Sequence, residues 1–213
     1  MTPLRGFGRQ GRRPGARQSG MSLIITMLML VAVMLLGLSA AQIALSSEKA
    51  SRNERDRQVA FQAAEAALLD AELDIQNSTS STTRSADFSK NSMLGFPSET
   101  DAACGAGLNS RGLGLCSRRP EGSPPAWLKV DFSDVGLTTS QSVPYGTFTG
   151  QTFAYGSGTS SWRLPRYIIE IMTYNAPGAS ADQVSYFYRL TAIGYGMRDT
   201  TQVVLQTFYR KET

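Results

Sequence analysis

The sequence predicts an α+β protein: one long N-terminal helix, membrane-spanning in its first half, with its second half packed on an antiparallel β-sheet. Three observations predict it. No charged residue falls between Arg17 and Glu48, and no proline falls between Pro14 and Pro97. From about Leu128 onward the pattern changes to β-branched and aromatic residues, often at a spacing of two.

Composition narrows the function before any motif is read. The chain has 213 residues with 2 Cys and no His, enough for one domain plus an appendage. Without an imidazole there is no His-dependent triad, no Cys–His dyad and almost no route to a zinc site. The formal charge of +4 belongs to the start of the chain. Five arginines (Arg5, Arg9, Arg12, Arg13, Arg17) precede Met21 with no acid among them, leaving 16 basic against 17 acidic residues afterwards. A nucleic-acid-binding domain carries its excess on the folded face, so no nucleic-acid site is identified.

Residues 1–20 read as a basic leader. The stretch Met21–Leu45 is mostly apolar, and about 20 such residues cross the hydrocarbon core as a helix that satisfies its own backbone. Leu23, Ile24, Ile25, Leu28, Leu30, Val31, Leu35 and Leu36 are its candidate membrane residues. Arginines before it and mixed charge after it place the N-terminus in the cytoplasm and the rest outside. Three fates fit: an uncleaved anchor, a secretory signal cut at Ser39-Ala40-Ala41, or cleavage between Gly20 and Met21. The apolar run is long for the second.

Gly37 is the one glycine between Met21 and Leu94, so the helix is expected to run to about Gln76, roughly 80 Å at ~1.5 Å per residue. The whole segment is bounded as 21–77. Phe61, Ala64, Leu68, Ala71 and Ile75 form an apolar stripe for packing on the sheet, with Asp56, Glu65 and Asp70 mainly off it. The polar run Asn77–Thr83 ends the helix, and Ser98–Pro125 reads as largely irregular. Strands are expected at Leu128–Phe132, Thr147–Tyr155, Tyr167–Met172, Val184–Ile193 and Thr201–Tyr209. Turns are expected at Asn175–Gly178 and Gly194–Thr200, and residues 78–213 form an extracytoplasmic α+β domain.

Candidate chemistry is sparse. Cys104 and Cys116 read as a structural disulfide in an oxidising compartment, worth roughly 3 kcal/mol for so short a loop. The alternative, a reactive thiol pair, lacks a His or a C-x-x-C spacing. Gly105-Ala106-Gly107-Leu108 lacks the strand, helix and Lys of a phosphate loop. Gly156–Ser161 offers hydroxyls with no general base. Asn77-Ser78-Thr79 fits the glycosylation pattern. Arg52–Arg57 interleaves with acids suited to i, i+3/i+4 pairing. No catalytic residue, metal site or cofactor is proposed.

The leader ending in Gly20, then Met21 and a long apolar helix, resembles the class III signal of type IV pilins and pseudopilins. The segment Glu48–Leu68 is similar to that of PilX-type minor pilins and, more loosely, of K-type pseudopilins. Cys104 with Gly114-Leu115-Cys116, then Pro124-Pro125-Ala126-Trp127, Tyr188-Arg189-Leu190-Thr191-Ala192 and Val203-Val204-Leu205-Gln206, also resemble the PilX type; residues 75–100 and 130–180 match nothing specific. The resemblance implies a type IV pilin-like fold, prepilin-peptidase cleavage after Gly20, N-methylation of Met21, and residues 21–45 in a filament core. It implies a bacterial inner-membrane protein with its domain in the periplasm, and an extracellular pilus after assembly. The implied partners are other minor pilins, the major pilin and the inner-membrane assembly platform. The implied role is pilus assembly or priming, supporting twitching motility, adhesion or DNA uptake. Major pilins of the family carry Glu at the fifth mature position, here Ile25, and that departure points to a tip or initiation subunit. A K-like pseudopilin of type II secretion is the alternative, and a membrane-anchored extracytoplasmic binding domain a further one.

Overall fold

A computed structural model of the chain describes residues 20–76, 80–89, 91–98, 104–120, 122–174, 178 and 184–211. The leader before Gly20, the Asn77-Ser78-Thr79 sequon and most of the expected turn at Asn175–Gly178 lie outside them. Helix α1 spans Met21–Gln76 without a break, as the absence of proline permits. The chain divides into two compact units, Met1–Ala50 and Ser51–Thr213.

The second unit holds the last turns of α1 and a five-stranded sheet. Its strands are β1 (Leu115–Cys116), β2 (Val143–Pro144), β3 (Arg166–Tyr174), β4 (Ser185–Tyr195) and β5 (Gln202–Tyr209). The order is β1-β3-β4-β5, with β2 also on β3. The β3–β4–β5 meander is antiparallel, and β4 meets β5 in unbroken register from Tyr188↔Tyr209 to Tyr195↔Gln202. β1 runs parallel to β3, so the sheet is mixed. Two-residue strands have no periodicity to read, which is why the sequence does not show β1 or β2.

Two expected strands are corrected. Within Leu128–Phe132 the first residues belong to a one-turn helix, α2 (Ala126–Lys129), entered from Pro125 at φ −61°; a proline there presets helical entry. Thr147–Tyr155 forms turns, because Gly146 and Gly150 hold φ of +78° and +71° and break the extended run. Only Tyr155 makes a bridge, to Ser161.

One face of the sheet packs on α1. Tyr167, Ile169, Ile171, Tyr188, Leu190 and Ala192 join Ala67, Ala71 and Ile75 in the main core. Ala64, Ala71 and Ile75 are fully buried and Leu68 is partly buried. Phe61 is 44% exposed, contrary to the expected stripe, and the stripe lies about one residue round, on Ala60, Ala63, Ala64 and Ala67. The reason is distance. A Cβ on Gly194 of β4 would fall 2.1 Å from the Ala60 carbonyl oxygen and 2.2 Å from the Ala64 nitrogen. Helix and strand meet backbone to backbone, where a phenyl ring has no room.

On the other face, Cys104, Cys116, Ala126, Val130 and Phe132 cover Ile168, Ile193 and Tyr195 as a second core. Arg166, at the start of β3, is buried and donates to Ser142 Oγ at 2.8 Å and Ser140 Oγ at 2.6 Å. It ties the segment before β2 to the sheet.

The helix–strand contact yields a direct test. Gly194→Ala drives a methyl into the backbone of α1, and overpacking of that kind destabilises by about 2–3 kcal/mol. Denaturant unfolding of the full chain in detergent should show that loss. Gly37→Ala, with nothing within 4 Å of its Cβ, should leave the unfolding of the second unit unchanged.

Candidate assembly site

In the first unit every predicted membrane residue is exposed: Leu23, Ile24, Ile25, Leu28, Leu30, Val31, Leu35 and Leu36. Apolar side chains point outward all round the helix. Three hydroxyls of this helix bond back to its own carbonyls: Thr26 Oγ1 donates to the Leu23 carbonyl at 2.9 Å, Ser39 Oγ to Leu35 at 2.9 Å, and Ser46 Oγ to Gln42 at 2.6 Å. Such back-bonding removes the penalty of a bare hydroxyl in hydrocarbon. Among the described residues this is the one helix long and apolar enough to cross a membrane. Gly20 is exposed at its start, Met21 is its first residue, and no acid lies in its first turn.

Polarity on α1 then changes sides. Asp56, Asp70 and Asp74 are buried at 1% exposure or less, which corrects the expectation that Asp56 and Asp70 lie off the packed stripe. They continue the alanine face: Asp56, Ala60, Ala63, Ala67, Asp70 and Asp74 follow steps of three and four. Each aspartate holds a different part of the domain.

Asp56 receives the β4–β5 turn. Its Oδ1 accepts from the Met197 N–H at 2.5 Å, and its Oδ2 accepts from Thr201 Oγ1 at 2.5 Å and Arg198 Nε at 3.1 Å. Its cation is Arg198, from the β4–β5 turn. Burial pushes this carboxyl up, but the bonds from Thr201, Met197 and Arg198 outweigh it and hold the group below its ordinary value of 3.8. Asp70 accepts from the Gly146 N–H at 2.8 Å and from Thr149 Oγ1. Here burial dominates and pushes the carboxyl up, helped by the Asp74 charge, with the bonds from Thr149 and Gly146 opposing.

Asp74 pairs with Arg84, both side chains at 0% exposure, through Nη2–Oδ2 at 2.6 Å. Arg84 Nη1 donates to the carbonyls of Arg111 and Leu113 at 2.9 and 2.6 Å. The guanidinium carbon lies 3.8 Å from the Phe148 ring centroid. Tyr167 of β3 donates its hydroxyl to Asp74 at 2.9 Å. Burial first, and then the neighbouring Asp74 carboxylate, push that phenol well above its ordinary range.

Cys104 and Cys116 are bonded, S–S 2.00 Å. The loop they close is knitted by Gly105 N–H to Leu115 O at 2.9 Å and Gly114 N–H to Gly105 O at 3.0 Å. Leu108 from this loop packs on the main core. Among the described residues no group of three or more His, Cys, Asp or Glu could hold a metal.

An exposed apolar helix continuous with a disulfide-stapled α+β body defines a class: pilin-like subunits that act by packing rather than by chemistry. The family model described as type IV pilus assembly protein PilX C-term matches residues 99–211, and the PilX N-terminal model matches residues 19–69. The chain belongs to the PilX family, and it is a structural minor pilin of type IV pilus assembly, not an enzyme. A search of curated proteins and a search of solved structures each found no match.

The buried network gives two predictions. Arg84→Met leaves Asp74 buried without its cation and should cost about 3–5 kcal/mol. Arg111→Met, which removes a pair to Asp87 from a side chain 58% exposed, should cost under about 1 kcal/mol. Urea unfolding separates the two. A carboxyl lowered in the folded state stabilises fully above its unfolded value and loses that contribution as pH falls through the folded one. Asp56→Asn should therefore be less stable than the parent at pH 7, and the gap should close as pH is taken down through 3.8 and below. Unfolding midpoints measured across that range check the sign.

Proposed function

We propose that this minor pilin enters a tip or initiation complex of the type IV pilus after class III processing. In this reading prepilin peptidase cuts after Gly20, Met21 becomes the N-methylated first residue, and residues 21–45 move from the inner membrane into the filament core. The observation that carries it is the exposed apolar surface of the first unit, with Met21 as the first helical residue. Such a helix suits both lipid and a bundle of like helices, so extraction exchanges one apolar environment for another.

The arginines before Met21 favour a cytoplasmic N-terminus and a periplasmic body, and the Cys104–Cys116 bond suits that oxidising compartment. Ile25 supports the tip position: with no carboxylate at the fifth mature residue, the subunit cannot supply an acid to a neighbour's terminal ammonium. Its partners are other minor pilins, the major pilin and the inner-membrane assembly platform, and motility, adhesion or DNA uptake follow from the filament. The PilX family matches favour this reading over a K-like pseudopilin of type II secretion.

The test is the N-terminus of the protein from cells with and without prepilin peptidase, by intact mass and terminal sequencing. The expected result is an N-methylated Met21 that depends on the peptidase. A start at Met1 or Gln42 in peptidase-positive cells overturns the reading.

A further inference from the structure

Beyond the apolar helix and the buried network, the most unusual surface is the edge of the sheet. β5 is an outer strand: among the described residues it pairs with β4 alone. Exposed edges of this length are ordinarily guarded by a charge, a proline, a bulge or a covering segment. Gln202–Tyr209 contains no charged residue and no proline, and its register with β4 has no bulge. Val204 is 47% and Phe208 63% exposed, on the sheet face away from α1.

Two hollows open along that face beside β5. One is lined by Gln202 and Val204 with Trp127, Phe132 and Tyr195. The other is lined by Phe208 and Arg210 with Tyr174 and Phe187. Val204 and Phe208 are four residues apart, or about 13 Å in a strand. That is the spacing between side chains i and i+4 of an extended chain laid alongside, whereas four residues of a helix rise only about 6 Å. An edge offering main-chain hydrogen bonds, with hollows for alternate side chains, is the arrangement used for strand addition.

Charge narrows the occupant. Glu170 and Arg189, cross-strand partners on the same face, neutralise each other. Arg210 borders the second hollow with its guanidinium carbon 5.5 Å from the Tyr174 ring centroid, whereas Lys211 is spent on the Ser85 carbonyl. Arg210 is therefore the charge that the neutral strand sets beside this hollow.

We propose that β5 is the docking edge for an extended segment of a second protein. That segment is uncharged along the pairing stretch, carries bulky apolar side chains four residues apart for the two hollows, and places a carboxylate beside Arg210. It rests on the assembly reading only in placing that partner among the pilus proteins.

The test is hydrogen exchange at amides 202–209 of the full chain in detergent, extracted from cells that express it alone or with the pilus machinery. The result expected is slowing of the outward-facing β5 amides by at least about tenfold with the machinery present. The double variant Val204→Lys, Phe208→Lys should remove it with only a small drop in the unfolding midpoint, since the two side chains are 47% and 63% exposed and give up chiefly the Phe187–Phe208 ring contact. Leu137→Lys, at a residue 70% exposed in a loop, should not. A photo-cross-linker at Gln206 should join an extended segment of the kind described. Equal exchange in the two extracts, protection that survives the double variant, or a cross-link to a second copy of this chain or to a helix overturns the proposal. Failure of peptidase-dependent cleavage is read separately, at Met21, and leaves these outcomes interpretable.

Discussion

The body of the protein depends on one close approach: α1 lies against β4 at Gly194, backbone to backbone. Helix packing at that distance tolerates little beyond alanine, and the buried stripe is accordingly Ala60, Ala63, Ala64, Ala67 and Ala71. Small side chains bring little apolar area, so the hydrophobic contribution per helix turn is modest. The larger payload comes from the sheet side, where Tyr167, Ile169, Tyr188 and Leu190 fill the space the alanines leave. A helix held this close also shuts water out from the loop ends around it. Their N–H and C=O groups must then find partners inside the protein.

The buried aspartates meet that demand. Asp56 takes two N–H groups of the β4–β5 turn, and Asp70 takes the Gly146 N–H. Asp74 works through Arg84, whose Nη1 reaches two carbonyls of the disulfide loop that no carboxylate could serve. A buried ion pair compared with apolar residues of equal volume is often no more stable. Here the pair does what apolar residues cannot, because removing it would strand the Arg111 and Leu113 carbonyls. The disulfide and Arg84 thus act on the same loop by different means. One shortens the unfolded chain, and the other satisfies the folded one.

This division explains what was legible in the sequence. The uninterrupted helix, its apolar first half and the β3–β4–β5 meander rest on composition and local periodicity, and each could be read directly. The disulfide followed from compartment and count. Hydrophobicity finds most of the packed face of α1, since Ala64, Leu68, Ala71 and Ile75 reach the core, but it misplaces three residues. Phe61 looked like core and Asp56 and Asp70 looked like surface, whereas the helix selects for size first. A spacing of Asp and Ala at three and four was present in the chain, but it becomes informative only once close packing is known. β1 and β2, at two residues each, exist through pairing with β3 and carry no pattern of their own. Thr147–Tyr155 had the composition of a strand, but two glycines at positive φ turned it.

One helix carries two kinds of surface, apolar all round in its first unit and partly packed in its second, and that sets where directional contacts reside. Residues 21–45 present aliphatic side chains all round, and a surface of that kind suits lipid or similar helices alike and so discriminates poorly between neighbours. The buried directional groups are already committed: Asp56, Asp70, Asp74 and Arg84 are spent inside the body, and Glu170 pairs with Arg189. Directional recognition therefore falls to what the body still presents to solvent with direction and spacing. A uniformly aliphatic helix surface offers no direction of its own, and the open edge of the sheet does.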